Sequence, residues 1–209
     1  MSLSPGASKF ALTTHIALSV AWLGAVAGFL ALSVAGLTSR DSNIVRACYV
    51  AADLITWKVI VPFAFASFIT GVVQSLGTTW GLFRHYWVVA KLLLTVVATA
   101  VLLVHTGPIG RVAAAATQGT LVAPDVQRLQ VQLIADAVGA AIALLVATGL
   151  SVYKPRGLTS YGLLHQYGTD VAHAPQGSRP SFGRYVLFAL LALLLLVLLV
   201  HLMGGGLHH

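Results

Sequence analysis

The sequence predicts an all-α, polytopic membrane protein: a four-helix transmembrane bundle with a peripheral fifth transmembrane helix. Three observations lead to this class. Only 8% of the 209 residues are charged, whereas about 25% are charged in soluble proteins. Hydrophobic residues make up 58% of the chain, and they fall into five runs near the ~20 residues that cross a bilayer. So few charges cannot cover a soluble surface, which excludes an ordinary soluble enzyme, a disordered chain and a nucleic-acid-binding protein.

The five predicted spans are separated by polar or helix-breaking residues. They cover approximately residues 12–37, 54–76, 85–105, 130–153 and 185–203. The first run is too long for a signal-peptide core and is expected to be a retained helix. Gly107-Pro108 is predicted to terminate the third helix. The chain therefore divides into a bundle (1–153), a polar loop (154–184) and a fifth helix with its tail (185–209).

The net charge of +7 is spread over short segments without a basic cluster, as is typical of charges that flank transmembrane helices. Five spans place the termini on opposite sides, and we call the N-terminal side side A and the other side side B. Seven Lys or Arg residues fall on side A and five on side B. This excess favours a cytoplasmic N-terminus.

Polar residues at three- and four-residue steps indicate which helix faces look into the bundle. The first helix carries such a stripe (His15, Ser19, Trp22, Phe29 and Ser33), and Gly24 with Gly28 is predicted to permit close helix packing. The third and fourth helices carry stripes of the same kind (Lys91, Thr95, Ala98, Leu102 and His105; Asp136, Ala140, Ala143, Ala147 and Ser151). In the second helix, polar residues cluster toward side A (Ser67, Thr70, Gly71 and Gln74). The fifth helix has no polar stripe, so we expect it to lie at the periphery.

Ionisable residues within the spans are by default candidates for function, and they fall at two depths. Near side A are His15, Lys91 and His85, at the level of Thr70 and Gln74. His105 follows Lys91 by 14 residues on nearly the same face, or roughly 21 Å, and so approaches side B with His201, Lys58 and Asp136. Imidazoles on facing helices are the usual ligands of a b-type haem, and Trp22 and Phe29 would supply an apolar slot.

Structural roles for the same residues remain open. His85 and His201 would sit at the membrane interface, His105 would cap its helix before Gly107-Pro108, and Lys91 would extend its amine toward side A. Lys58 and Asp136 are predicted to form a structural ion pair, and His165 and His173 to be solvated loop histidines. With only Met1 and Met203 as methionines, a thioether pathway for Cu(I) is not indicated.

The pattern His15-x6-Trp22-x-Gly24, together with the stretch from Trp87 through Lys91 to Leu94 and the later His105, resembles a bacterial superfamily of small membrane proteins. It includes the membrane-bound protoporphyrinogen oxidase of haem biosynthesis and the copper-resistance D-type domain. The stretch 62–87 most resembles an uncharacterised integral-membrane family of that group. The resemblance covers about residues 10–150 and implies haem b near side A, with His15 and Lys91 at the positions of the haem site. His105 lies a turn further from Lys91 than in that pattern, and the fifth span is additional.

The sequence therefore predicts a haem b-binding protein of electron transfer or redox chemistry in the bacterial inner membrane. His15 is the favoured axial ligand, with Lys91 or His85 as second ligand or pocket residue. A second haem on His105 and His201 is a further option. The alternatives are a protoporphyrinogen oxidase-like enzyme and a cofactor-free transport, sensor or assembly protein. Expected partners are the lipid bilayer and a redox protein or quinone, with a homo-oligomer as an option and no nucleic acid.

Overall fold

The protein is all-helical over the residues that its structure, a computed structural model, describes: 4–78, 81–155 and 157–168. The helices are α1 (Pro5–Thr38), α2 (Ser42–Ile55), α3 (Val61–Gly77), α4 (Tyr86–Gln118), α5 (Pro124–Tyr153) and α6 (Ser160–Tyr167). A π-helical turn (Thr56–Ile60) joins α2 to α3 without a break. No β-strand occurs in these ranges, so the predicted all-α class is confirmed. The predicted fifth span and residues 169–184 of the polar loop lie outside the described residues.

Four helices are long and apolar enough to cross a membrane: Pro5–Thr38, Ser42–Gly77, Tyr86–Gln118 and Pro124–Tyr153. They contain between 30 and 36 residues. At 1.5 Å per residue these helices are roughly 45–54 Å long, whereas the hydrocarbon core is ~30 Å thick. The described residues thus have the architecture of a multi-pass membrane protein whose helices extend beyond the hydrocarbon.

Helix α4 does not end at Gly107-Pro108, so that prediction is wrong. The helix continues through Pro108 to Gln118 and ends at Gly119, which adopts the left-handed conformation with φ of 74°. Proline removes one backbone donor, but contacts with neighbouring helices keep such a helix intact in a bundle. In this segment Ile109 and Val112 are buried in the core of the bundle, and this packing outweighs the local cost of the proline.

The second span also begins earlier than predicted, at Ser42 instead of residue 54. Its first part, α2, carries Arg46 and Asp53, which placed it outside a hydropathy-based span. The N-cap is Asp41, whose Oδ1 accepts a hydrogen bond from the Asn43 amide at 2.8 Å. Amphipathic α2 therefore extends the bundle at side B.

The π-helical turn lies directly before Pro62. Here the Val61 amide donates to the Thr56 carbonyl, five residues back. Since Pro62 has no amide proton and its ring crowds the preceding turn, the helix accommodates it by widening. The additional residue changes the angle at which the side chains of α3 point, compared with a continuous α-helix. Lys58, within the π-helical turn, is exposed on the outside of the bundle.

The best-packed part of the bundle lies in its side-B half. Four side chains there, one from each long helix, are almost completely buried: Ser33, Tyr49, Val112 and Leu133, with at most 2% exposure. We call these four residues the side-B core. Trp22 and Phe29 of α1 pack against the same cluster, which confirms that the predicted stripe of α1 faces inward.

Close approach between helices depends on Gly36 and not on the predicted pair Gly24 and Gly28. A Cβ placed on Gly36 would lie 2.9 Å from the ring of Tyr49. Among the residues that the structure describes, no atom lies within 4 Å of a Cβ placed on Gly24, and only the end of Ile55, at 3.7 Å, lies near one placed on Gly28. The prediction was wrong because small residues mark a close contact only where a neighbouring helix lies over them.

At side A, the segment after α5 folds back onto the loop between α3 and α4. The Thr159 amide donates to the Arg84 carbonyl at 2.9 Å, and Thr159 Oγ1 donates to the Phe83 carbonyl at 2.5 Å. Arg84 Nη2 lies 2.9 Å from Nε2 of His165. His165 is exposed as predicted, but it lies on α6 and contacts Arg84, so it is not a solvated loop residue. His173 is outside the described residues.

Candidate functional site

His15 lies between α1 and α3 with its ring orientation fixed by hydrogen bonds. Its Nδ1 is 3.1 Å from the Ser67 carbonyl oxygen and 3.2 Å from Thr70 Oγ1, which itself donates to the Ala66 carbonyl at 2.7 Å. Because a carbonyl oxygen only accepts, Nδ1 carries the proton, and in the neutral ring Nε2 holds the lone pair. Among the described residues, Nε2 has no hydrogen-bond partner.

Two further features of α1 and α3 fix this arrangement. Ser19, one turn along α1 from His15, has its Oγ 2.8 Å from Ser67 Oγ. Gly71 lies beside the imidazole, where an added Cβ would come within 3.0 Å of His15 Cε1. Any residue larger than glycine would therefore push the ring out of its position.

A cleft of about 80 Å³ adjoins His15 at side A. Its lining includes Gln74 of α3 and Trp87, Lys91 and Thr95 of α4. Most of these side chains are half-buried, so the cleft is open to its surroundings and is not a closed cavity. The structure thus brings His15, Lys91 and Gln74 to one place, as the depth count from the sequence indicated.

Lys91 is the only Lys or Arg among the residues that line this cleft. Its Nζ lies 5.7 Å from the centre of the Trp87 ring, within range of a cation–π contact. A positive charge held over an aromatic ring at the membrane edge is suited to binding an anionic group of a ligand.

Two of the predicted site residues lie elsewhere. His85 is the residue before α4 and forms an isolated bridge with Leu158, so it faces the segment that folds back from α5. Trp22 is buried in the bundle, 2% exposed, and lines neither the cleft nor the larger cavity described below. The structure does not bring Trp22 to His15.

His105 lies on the opposite half of α4 and is engaged at both ring nitrogens. Nδ1 is 2.6 Å from the Val101 carbonyl and therefore donates to it. Nε2 is 3.1 Å from Asp136 Oδ2, and the side-chain amide nitrogen of Gln132 lies 3.3 Å from the same Nε2. His105 is only 4% exposed, so these partners offset the cost of burying a polar ring.

The predicted ion pair between Lys58 and Asp136 is wrong. Asp136 contacts His105, while Lys58 is exposed on the π-helical turn. The sequence prediction placed Lys58 on the inner face of the second helix by assuming a continuous α-helix. The π-helical turn changes the direction in which Lys58 points. Gln132 was missed altogether, although its spacing of one turn before Asp136 on α5 was a usable signal.

The His105–Asp136 pair borders a cavity of about 290 Å³. Its wall comes mainly from α4 and α5, with α1 and the π-helical turn closing it from behind. Apart from the pair and Thr56, all the lining residues are apolar or glycine. On α5 the lining runs from Leu133 to Val146, so the cavity extends from the side-B level toward the middle of the bundle.

Over the ranges 4–78, 81–155 and 157–168, no group of three or more His, Cys, Asp or Glu residues could hold a metal ion. A haem iron takes only one or two axial protein ligands, so it does not need such a group. His201, the other predicted side-B ligand, lies outside these ranges.

Over the described residues, fold and site define an all-helical bundle with four candidate transmembrane helices, and with His15 and His105 in different environments toward its opposite ends. Comparison with protein-family models, with curated proteins and with solved structures gives no match to the chain.

Proposed function

We propose that the protein binds haem b at the His15 end of the bundle and functions in electron transfer or related redox chemistry. The observation that carries this proposal is the state of the His15 ring. Metal-bound histidines almost always donate their second ring nitrogen to a carbonyl, a carboxylate or a water. His15 Nδ1 makes this contact with the Ser67 carbonyl, which leaves Nε2 as the ligating atom.

The surroundings of His15 supply the other groups that such a site uses. Lys91 provides a positive charge in the same cleft, suited to a propionate or to a second ligand position. Trp87 provides an aromatic surface beside it. Gly71 keeps the space next to the imidazole free of a side chain. Bound haem supplies one-electron transfer at its iron, and the chain's own part is to orient the imidazole and place a charge.

The His15 imidazole is a suitable haem ligand, but the cleft beside it is too small for a haem. Pockets for small molecules and cofactors measure roughly 300–1,000 Å³. The cleft of about 80 Å³ is far below that range, so α3 and α4 would have to move apart to admit a macrocycle. Haem loading should therefore protect this end of the bundle from proteolysis or amide exchange, whereas the side-B end should be unaffected.

We propose a single haem because His105 differs from His15. Both nitrogens of His105 are engaged, so ligation there would break its contact with Asp136 or with the Val101 carbonyl. Losing a hydrogen bond to a charged side chain costs about 1.5–3 kcal/mol. The haem-to-protein ratio of the purified protein should accordingly be one.

The test is a visible absorption spectrum of the detergent-purified protein, oxidised and dithionite-reduced, after expression with added haem precursor. We expect a Soret band that is lost or shifted in His15→Ala and retained in His165→Ala, which removes an exposed histidine as a matched control. A wild-type protein without a Soret band contradicts the proposal, and so does a His15→Ala spectrum identical to wild type.

A cofactor-free membrane protein is the second candidate. Two observations favour it: the cleft at His15 is small, and both ring nitrogens of His105 already have protein partners. In that case the purified protein stays colourless, and His15 acts as a hydrogen-bond bridge between α1 and α3. The enzymatic alternative rests on the resemblance alone; rescue of a bacterial strain that lacks protoporphyrinogen oxidase, lost in His15→Ala, would establish it.

A further inference from the structure

The cavity between α4 and α5 combines two properties that rarely occur together inside a bundle. It is large and its walls are apolar, yet one end is formed by a pair of ionisable side chains: His105, which is buried, and Asp136, whose side chain is 19% exposed. An apolar ligand alone does not need such a pair, and a structural pair does not need an adjoining cavity. We propose that this cavity is a binding site for a lipid-soluble quinone, with the quinone ring at the His105–Asp136 pair.

The size of the cavity matches a substituted six-membered ring. An apolar cavity of ~150 Å³ holds a benzene molecule. At about 290 Å³ the cavity has roughly twice that volume, which leaves room for ring substituents and the first part of a tail. It is close to the lower end of the range for small-molecule sites, and it is much larger than the cleft at His15.

The shape of the cavity separates a ring position from a tail position. His105 and Asp136 lie at its side-B end, and the lining continues along α5 as far as Val146. Those ten residues of helix correspond to roughly 15 Å. An amphiphile with its polar ring at the pair can therefore lay its tail toward the middle of the bilayer.

The chemistry of the pair matches a quinone in both of its forms. The Val101 carbonyl accepts from His105 Nδ1, so Nε2 is the ring nitrogen that lies 3.1 Å from Asp136 Oδ2, with the Gln132 side-chain nitrogen 3.3 Å away. An imidazole beside a carboxylate can offer a donor and an acceptor within one contact. A ring carbonyl accepts from the donor, and the hydroxyl of the reduced ring donates to the acceptor.

The cavity also has a route to the membrane. Four of its lining residues on α5 are exposed on the bundle surface: Ala135, Gly139, Ile142 and Val146. None of the described residues has an atom within 4 Å of a Cβ placed on Gly139, so they leave open space at this position. A lipid-soluble ligand can thus enter sideways from the bilayer.

Gly139→Leu tests the entry route, with Gly149→Leu as the matched control. Both glycines are in α5 and neither has a neighbour within 4 Å of an added Cβ, but only Gly139 lines the cavity. The full-length protein in lipid nanodiscs is photolabelled with an azido-quinone, and the labelled peptides are located by mass spectrometry. We expect label on α4 or α5 at the cavity, reduced at least tenfold by Gly139→Leu and unchanged by Gly149→Leu.

The polar contact is tested by competition against that label. Decyl-ubiquinone should displace it, and decylbenzene, which has the ring and tail without carbonyls, should be at least tenfold weaker. Asp136→Asn should weaken decyl-ubiquinone about tenfold and leave decylbenzene unchanged. Equal competition by the two compounds would show a cavity for hydrocarbon chains and overturn the proposal. Label outside the cavity, or label insensitive to Gly139→Leu, would also overturn it.

This proposal does not rest on haem binding at His15. The Soret band, where present, should be the same in wild type and Gly139→Leu, so failure at one site is distinguishable from failure at the other. If Asp136→Asn does not fold, the comparison of Gly139→Leu with Gly149→Leu still decides the site.

Discussion

His15 and His105 are two intramembrane histidines in one bundle, and their environments differ in a way that sequence alone does not reveal. Each donates from Nδ1 to a backbone carbonyl, Ser67 in one case and Val101 in the other. At His105 the second nitrogen meets Asp136, whereas at His15 it meets no described partner. The two rings therefore have the same orienting contact and opposite capacities for binding a metal through Nε2.

The side chains around His105 are also more completely buried than those around His15. His105 adjoins the side-B core, where Val112 and Leu133 are almost completely buried. Around His15, the cleft residues of α3 and α4 are mostly half-buried. The comparison shows a bundle with a rigid, satisfied half and a looser half that carries an available imidazole. This division is what a protein needs if one end provides stability and the other admits a cofactor.

The largest effect on stability should come from removing side-chain volume from the side-B core. Leu133→Ala should lower the free energy of unfolding by about 2–5 kcal/mol, because it removes the apolar contacts of a 2% exposed side chain and enlarges the cavity that Leu133 already lines. The matched change at side A, Leu92→Ala at the half-buried edge of the cleft, should cost less than half as much. Equilibrium unfolding in mixed micelles measures both values. Equal losses would contradict the division into a rigid and a loose half.

Removing His105, whose two ring nitrogens both have partners, should have the next largest effect on stability. His105→Ala removes the 3.1 Å contact to Asp136 Oδ2 and should cost about 1.5–3 kcal/mol, whereas His15→Ala should cost about 1 kcal/mol. In a double-mutant cycle, His105→Ala with Asp136→Ala should cost less than the sum of the single changes. Additive losses would show that the two side chains do not stabilise each other.

The smallest effect concerns the two kinds of glycine in α1. Gly36→Ala should destabilise the bundle by about 1–3 kcal/mol, since the new methyl group meets the Tyr49 ring. Gly24→Ala has space and should be neutral or stabilise by up to ~1 kcal/mol through helix propensity. Thermal unfolding in detergent resolves the sign of each change. The same sign for both would contradict the assigned contact at Gly36.

Much of the architecture was predictable because it follows from hydropathy and helical period. Four spans and the inward stripe of α1 emerge from the arithmetic of 3.6 residues per turn. The prediction failed where another helix decides the outcome. Burial of Ile109 and Val112 in the core of the bundle keeps α4 helical past Pro108, and the position of the Tyr49 ring, not a small-residue spacing, requires glycine at position 36.

The polar sites show the same limit. The depth of His15 and Lys91 could be counted from the helix ends, so their shared cleft was foreseeable. The side chain that contacts Asp136 could not be predicted, because two candidates, Lys58 and His105, lie at the same depth. Only the rotation of each helix about its axis separates them, and the π turn alters that rotation for Lys58.

That π turn has a consequence for the evolution of the chain. It adds one residue to the helix two turns before Ser67, so it sets the angular phase at which α3 presents its carbonyl and Gly71 to His15. A one-residue deletion within Thr56–Ile60 would leave hydropathy, span count and composition almost unchanged. It would nevertheless turn α3 by about 100° and remove the groups that orient the imidazole. In this region insertions and deletions, rather than substitutions, are therefore the changes that selection should tolerate least.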